Sequence, residues 1–514
     1  VKRWIFVAAT LATVTSCGPR ALPPLGEIVV SVDTDLPVPR LASRLRLDVY
    51  DDAGTWIDSL DVPRPSPALW PVSFGLFAPR EDRSVRALVR VRAYVDGVVR
   101  DYRGERFEER LPDDADVTTV RPVPPPTDRP RLLRGGRDRT PPSEPEPSAA
   151  IDRLFAVELV PGVRGRVDVV LRGACAGVMA DLAGRRSCVD DGTLAALIQR
   201  DPVDPTTPTE ASLVGSFGLV PKAERPPRPA STAADGTPLH DREIAIDGGP
   251  FLFGGRDITN VGVLLGLPVS SAPERIVVIS SFLIDEHEVT VGRWRAAIAR
   301  GFGGEAVEND GPRTADLAVE DPTELCTFSQ APRGREEEPL NCVPWDAARA
   351  FCRFEGGDLP SEAQWEYAAA QSGREIRTSY PWGETTPDCA DLVFGRAPGK
   401  VEGANDACTK NAGLPAGLQP VFAGAQDRTP SGVHGLAGNL AEFMLDRFLG
   451  YRTGCWDRAT RIDPRCDHPV GPRTIRGGSW TRYGNLLLAS ARSPVPPVSA
   501  TDAGFRCVRP GALP

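Results

Sequence analysis

Apolar and polar positions alternate from residue 27 to about 118. Leu45, Leu47 and Val49 point one way while Arg46, Asp48 and Tyr50 point the other, the period of two that marks a strand. Val85, Ala87, Val89, Val91, Ala93 and Val95 repeat the pattern with Arg86, Arg90 and Arg92 opposite. Asp96-Gly97 is a dipeptide suited to a two-residue hairpin turn, with Val98-Val99 as the returning strand. The pattern predicts a half-buried antiparallel sheet in a small sandwich, its arginine row a solvated outer face. A binding face is the alternative. Strand-like sequence resumes at Leu154 to Val160 and at Val167 to Leu171, which extends this β-rich region over residues 27–200. Inside it, residues 119–150 are interrupted by Pro124-Pro125-Pro126 and by Pro141-Pro142-Ser143-Glu144-Pro145-Glu146-Pro147. Such stretches read as an exposed loop. Residues 201–239, again rich in Pro, Thr and Ala, read as a linker to a further domain over 240–511.

The first residues change the picture from fold to location. Lys2 and Arg3 precede an apolar run, Trp4 to Val14, too short to cross a bilayer as a permanent helix. Val14-Thr15-Ser16-Cys17 then resembles the lipobox of bacterial lipoproteins. On that resemblance residues 1–17 are a signal peptide, Cys17 carries lipid, and residues 18–26 are a tether. The expected location is the bacterial cell envelope, lipid-anchored to a membrane and facing periplasm or cell surface.

A chain of 514 residues is too long for one core, so two or three domains are expected. A net charge of -9 argues against nucleic acid as a partner. Of eleven cysteines, setting Cys17 aside leaves ten, an even number suited to five disulfides in an exported chain. Four short-range pairings suggest themselves: Cys175–Cys188, Cys326–Cys342, Cys389–Cys408 and Cys455–Cys466. Cys352 and Cys507 are left over. Zinc is disfavoured, because no C-x-x-C occurs and His240, His287, His434 and His468 are scattered.

Past residue 240 the signals sharpen. Ile244 to Phe251 reads as strand, turn, strand around Gly248-Gly249. A helix is expected after Val343-Pro344-Trp345, with Asp346 near its positive end. Ser361 and Gln364 form an S-x-x-Q capping box, so another helix should begin at Glu362 and carry Trp365, Ala368 and Ala369 on one face. Tyr380-Pro381-Trp382-Gly383 is a rigid turn. Gly438-Asn439-Leu440-Ala441-Glu442-Phe443, Arg476-Gly477-Gly478-Ser479-Trp480 and Gly504-Phe505-Arg506-Cys507 follow in order.

That order resembles the formylglycine-generating-enzyme, or sulfatase-modifying factor, family at every station. The family's V-S-W-x-D-A, L-P-T-E-A-E-W-E-Y-A-A, Y-P-W-G, G-N-V-W-E-W, R-G-G-S-W and G-F-R all have counterparts here. Pro344 and Ala347 depart from it. The resemblance covers about half the chain and implies an α+β fold related to C-type lectins, rich in irregular structure. It also implies a disulfide between Cys352 and Cys507.

The family's oxidase converts a sulfatase cysteine to formylglycine with copper(I), held by two cysteines just after G-G-S-Y/W. Here Thr481 to Arg492 contains no cysteine, and Ala441 stands where an aromatic ring is expected. Copper is therefore not expected, since soft copper(I) wants soft sulfur. The resemblance further implies calcium sites. One would use the Gly438 and Leu440 carbonyls and the Glu442 carboxylate, although Gly435 replaces the family's remaining side-chain ligand. A second would use Asp391 and the Leu392 carbonyl, with Asp406 or Asn411 downstream. Ser479, Trp480 and Arg492 match positions lining the family's active groove. The expected function is binding or scaffolding of a peptide, glycan or envelope protein. The alternative is an enzyme of the superfamily, a non-heme-iron or formylglycine-generating oxidase.

Overall fold

A computed structural model of the protein describes residues 26–79, 82–102, 106–107, 122–123, 129–255, 271–304, 306, 325–397, 405–495 and 501–512. Residues 1–25, including Cys17, lie outside these. Two compact units emerge: one runs to Leu219 and takes in Glu274–Ile276, and the other is built from Val220 onward.

The first unit is mostly strand: β1 (Glu27–Thr34), β2 (Arg44–Asp51), β3 (Trp56–Pro63), β4 (Val72–Phe77), β5 (Val85–Tyr94), β6 (Val99–Asp101), β7 (Ser143–Pro145), β8 (Ile151–Leu159) and β9 (Arg164–Leu171). One sheet has the order β8-β5-β2-β3, the other β9-β1-β4, with β1 and β9 parallel. The β5 backbone is paired on both sides, Val89 lying opposite Val49 on β2 and Phe155 on β8. This overturns the expected hairpin. Val98 N does donate to Val95 O at 3.0 Å, closing the turn, but β6 has no free edge of β5 to join and pairs with β7 instead.

The proline-rich stretch Pro141–Pro147 is therefore not a free loop, while Pro124-Pro125-Pro126 lies outside the described residues. Ser143, Glu144 and Pro145 lie opposite Asp101, Arg100 and Val99. Prolines are tolerated because the flanking contacts use their carbonyls or other residues' N–H groups: Tyr102 N donates to Pro142 O at 2.8 Å, and Glu146 N to Val98 O at 3.1 Å. This segment also corrects the reading of the arginine row as solvated for Arg90 and Arg92, whereas the Arg86 side chain stays 38% exposed. Arg46 and Arg92 are each only 2% exposed and Asp48 is fully buried. Asp48 takes both guanidinium groups, Arg46 Nη1 donates to Ser143 O, and Glu144 lies 3.5 Å from Arg92. Arg90 donates to Asp152 at 2.9 Å. On the same side Tyr50, Trp56, Leu88 and Leu154 form an apolar cluster capped by Leu132.

The expected linker over 201–239 is likewise bound down. Phe217 N donates to Asp35 O, and Val203 bridges Arg166, within the first unit. Glu224 and Arg225 donate to Gly511 O, and Arg228 pairs with Glu355, within the second. The second unit thus begins about twenty residues before the expected boundary at 240.

That unit combines short strands with few helices, in keeping with the α+β expectation. Its elements include β10 (Glu243–Ile246), β11 (Gly249–Phe253), β12 (Arg275–Ile279), β13 (Phe282–Asp285), α1 (Val291–Ala299), α2 (Trp345–Phe354), α3 (Glu362–Glu366), β14 (Ala441–Arg447), β15 (Arg473–Arg476), β16 (Arg492–Pro494), β17 (Ala503–Gly504) and β18 (Val508–Pro510). The sheets run β10-β13-β18 and β16-β15-β14-β17. Gly248 turns β10 into β11 at φ +74°, where a Cβ would meet Ile279 O at 2.3 Å. The expected capping box is present at Ser361 and Gln364. Helix α3 is short, and the chain continues as a π-helical turn over Tyr367–Gln371. Trp294 of α1 stacks on Phe351 of α2 at 5.3 Å, and Phe505 closes the cluster edge-on. The Cys352–Cys507 disulfide seals this core across 155 residues, and the four short-range pairs also form as expected. No helix among the described residues is long and apolar enough to cross a membrane.

Candidate functional site

The site region is built around one buried carboxylate. Because Ser361 caps α3, Glu362 is its first residue, and its side chain enters the core with no exposure. Six hydrogen bonds converge on its two oxygens. Arg492 donates through Nε at 2.8 Å and Nη2 at 2.5 Å, and Arg476 through Nε at 3.1 Å and Nη2 at 2.8 Å. Thr474 Oγ1 and Tyr451 OH donate at 2.9 and 3.1 Å. Burial pushes the Glu362 carboxyl up, but Arg492 and Arg476 outweigh it and hold it below its ordinary value. Its neighbour Asp446 lacks such cations at contact distance. Burial, then the charge of Glu362, pushes Asp446 up to about 7.

The candidate groove residues do not line an open groove. Ser479 is fully buried, its hydroxyl 3.1 Å from Thr481 Oγ1 and 3.3 Å from Asp502. Trp480 is 1% exposed and packs with Val393, Leu418 and Leu440. Arg492 is spent on Glu362, on Leu449 O at 2.7 Å and on the Tyr451 ring. The space bounded by Gly477, Arg482 and Arg492 is about 20 Å³, room for about one water. All three residues are core, which their types allowed but their family positions masked.

The residues do not fit copper(I) either. Thr481 to Arg492 offers no thiol, thioether or imidazole, and every cysteine among the described residues is in a disulfide.

Two of the calcium ligands inferred from the resemblance, Glu442 and the Leu392 carbonyl, are already engaged by guanidinium groups. Both Glu442 oxygens accept from Arg506, at 2.8 and 2.9 Å, and Trp365 Nε1 adds a third bond at 2.9 Å. Arg506 also donates to Gly435 O at 2.6 Å. Of the first ligand set, then, Glu442 is held by a fixed cation, Arg506. At the second place Leu392 O accepts from Arg396 at 3.0 Å, Asp406 pairs with Lys410 at 2.6 Å, and Asp391 is exposed. A hard divalent ion needs about six oxygens, so water would have to complete either set. Among the described residues no group of three or more His, Cys, Asp or Glu side chains is arranged to hold a metal.

Sequence reasoning missed a cluster. Three of the four scattered histidines meet: His287 lies 5.5 Å from His240 and 5.1 Å from His434, ring centre to ring centre. The Nδ1 atoms of His287 and His434 sit 3.1 and 3.2 Å from Val421 O. A carbonyl only accepts, so both rings carry the proton on Nδ1. Burial, then His434, pushes His287 down to about 3, and burial also lowers His434. Nothing in the spacing of residues 240, 287 and 434 announces this meeting.

A buried Glu362–Arg476–Arg492 centre, the Glu442–Arg506 pair and the Cys352–Cys507 seal define an irregular α+β domain of a known class. Residues 230–510 match the sulfatase-modifying factor enzyme 1-like domain, and the chain belongs to that family. The formylglycine-generating enzyme of Thermomonospora curvata is 30% identical over 296 residues, spanning 51% of this chain and 92% of that protein. The inactive C-alpha-formylglycine-generating enzyme 2 of Bos taurus is 32% identical over 178 residues, 34% of this chain and 51% of that one. Among solved structures, PvdO from Pseudomonas aeruginosa superposes with a TM-score of 0.37 at 18% identity, covering 56% of this chain and 99% of PvdO.

Proposed function

We propose that this chain is a non-catalytic binding or scaffolding protein of the bacterial cell envelope. Lipid on Cys17 holds it at a membrane, and its sulfatase-modifying-factor domain engages a peptide, glycan or envelope protein. The observation that carries the reading is chemical: no sulfur stands between Thr481 and Arg492, and the ten cysteines beyond Cys17 are all consumed by disulfides. Soft copper(I) then has no soft ligands, and a fold without its reactive groups does not bring its chemistry along. The burial of Ser479, Trp480 and Arg492 supports the same reading. So does the similarity to a relative named as inactive, beside others named as enzymes. The sandwich-like arrangement of the first unit's sheets and the lectin-like character of the second belong to this proposal too.

The test is direct. The exported protein is incubated with a sulfatase-motif peptide, copper and reductant, and the peptide is weighed by mass spectrometry. The expected result is an unchanged cysteine. Copper-dependent loss of the thiol mass, absent from a boiled control, overturns the proposal.

A further inference from the structure

The first unit holds a cleft of about 470 Å³, lined by β1, β8, β9 and the stretch from Arg200 to Leu213. That volume lies in the range of small-molecule pockets, roughly 300–1,000 Å³. Four arginines face it: Arg153, Arg166, Arg172 and Arg200. Two of them have carboxylates to themselves. Arg166 donates to Asp168 at 3.0 Å, and Arg172 lies 3.9 Å from Asp35. Asp33, the acid on β1, accepts instead from Ser212 Oγ and Leu213 N.

Arg153 and Arg200 have no carboxylate within 4 Å, although Asp190 and Glu210 also line the cleft. Arg153 is 3% exposed; its Nη1 donates to Cys188 O at 3.1 Å, and its Nε is buried without a partner. The Nε of Arg200 is likewise buried and unpartnered. Burial, then the like charge of Arg200, pulls the Arg153 guanidinium down to about 10, with only partial compensation from Asp190. Burying a cation without a partner is costly, and setting a second beside it adds repulsion. The disulfide Cys175–Cys188 fixes the carbonyl that aims Arg153, so the pair cannot easily swing apart. Two guanidinium forks beside one cavity match the planar, bidentate geometry of an oxyanion.

We propose that this cleft is a binding site for a small ligand bearing one oxyanion group, a carboxylate, phosphate or sulfate, held between Arg153 and Arg200. The cavity exceeds the size of a bare inorganic anion, so the ligand has a body of about monosaccharide size that fills the remainder.

Calorimetric titration of the full chain with glucuronate, glucose 6-phosphate, inorganic sulfate and neutral glucose, at constant ionic strength in chloride, tests the assignment. At least one anionic sugar should bind at least tenfold tighter than sulfate, and glucose should not bind. Arg200→Gln should weaken that binding at least tenfold. The same variant without ligand should melt no lower than the parent, because it removes a repulsion, whereas loss of a structural strut would lower the melting temperature. The Arg153→Gln variant is the companion where it folds. The assignment fails if no carboxylate, phosphate or sulfate probe binds or sulfate binds as tightly as the sugars, which marks an adventitious ion only. It fails equally if glucose binds as well, if Arg200→Gln leaves affinity unchanged, or if Arg200→Gln destabilises the ligand-free chain.

Discussion

Neutralising Glu362 is the sharpest perturbation of the second unit. Glu362→Gln keeps the shape of the side chain and removes its charge. Six donor contacts, from Arg476, Arg492, Thr474 and Tyr451, now meet two acceptor oxygens. An amide supplies one oxygen and one NH2, so whichever way it turns, two hydrogens face other donors. Arg476 keeps Glu366 at 3.0 Å, but Arg492 loses the carboxylate that takes both its Nε and its Nη2 while remaining 1% exposed. Breaking a buried pair by removing one partner costs about 3–5 kcal/mol, much of it the orphaned charge. For a unit of this size a loss of that order lowers the melting temperature by on the order of 10 °C. Scanning calorimetry of the full chain reads it, with Ser361→Ala as the control on the same helix. Losing the cap costs about 1 kcal/mol and leaves the charges alone. If Glu362→Gln shifts the transition no further than Ser361→Ala does, the buried charge centre is not what holds this region together.

Three further outcomes are expected. Cys17→Ser should move the protein from the membrane pellet to the soluble fraction, and retention in the pellet refutes lipidation there. Thiol titration of the mature, denatured, unreduced protein should find no free cysteine among the ten beyond Cys17, and removing Cys352–Cys507 should cost about 2–5 kcal/mol; a free thiol at either position contradicts the pairing. His287 stays neutral in the folded chain down to about 3, while the unfolded chain takes a proton near 6.5, so below pH 6.5 the unfolded state binds more protons and stability falls with acidification. Its share of the slope is at most about 1.4 kcal/mol per pH unit between those values, and denaturant titrations at pH 6.5 and 5 should show a smaller difference in His287→Phe. An identical slope in the variant refutes the assignment to this ring.

Much of the second unit was legible because its signals are local. The capping box depends on residues three apart, the Tyr380–Gly383 turn on four consecutive residues, and each forms as the letters demand. The Tyr380 and Trp382 rings stack at 4.9 Å within that turn. Motif order then identified the domain, and with it the long-range Cys352–Cys507 bond that spacing left open. The errors share a different cause. Whether Arg90 and Arg92 face water depends on what lies over them, and Glu144 and Leu132 come from a segment that local rules assign to a loop. Misreading that stretch and misreading the arginine row were therefore one mistake. The three histidines fail in the same way: positions 240, 287 and 434 share no period, and only the fold brings their rings within 6 Å.

Arg506 accounts for how separated irregular loops of the second unit are drawn together. A divalent cation organises such loops by drawing carbonyls and carboxylates to one point. Arg506 does the same with fixed atoms: it gathers the Glu442 carboxylate and the carbonyls of Asp285, Glu286, His434 and Gly435. Those acceptors come from the end of β13, the approach to the Gly438 turn and β14, so one side chain ties three separated stretches. Arg396 draws in the carbonyls of Cys389 and Leu392 at 3.2 and 3.0 Å on a smaller scale. A side-chain cation cannot dissociate, and adding a second positive ion beside it is repulsive. Chelators should accordingly leave the melting temperature unchanged, while Arg506→Met, which strands Glu442 at 1% exposure, should unfold the unit far more readily. A chelator-sensitive transition would show that an ion, rather than Arg506, gathers those loops.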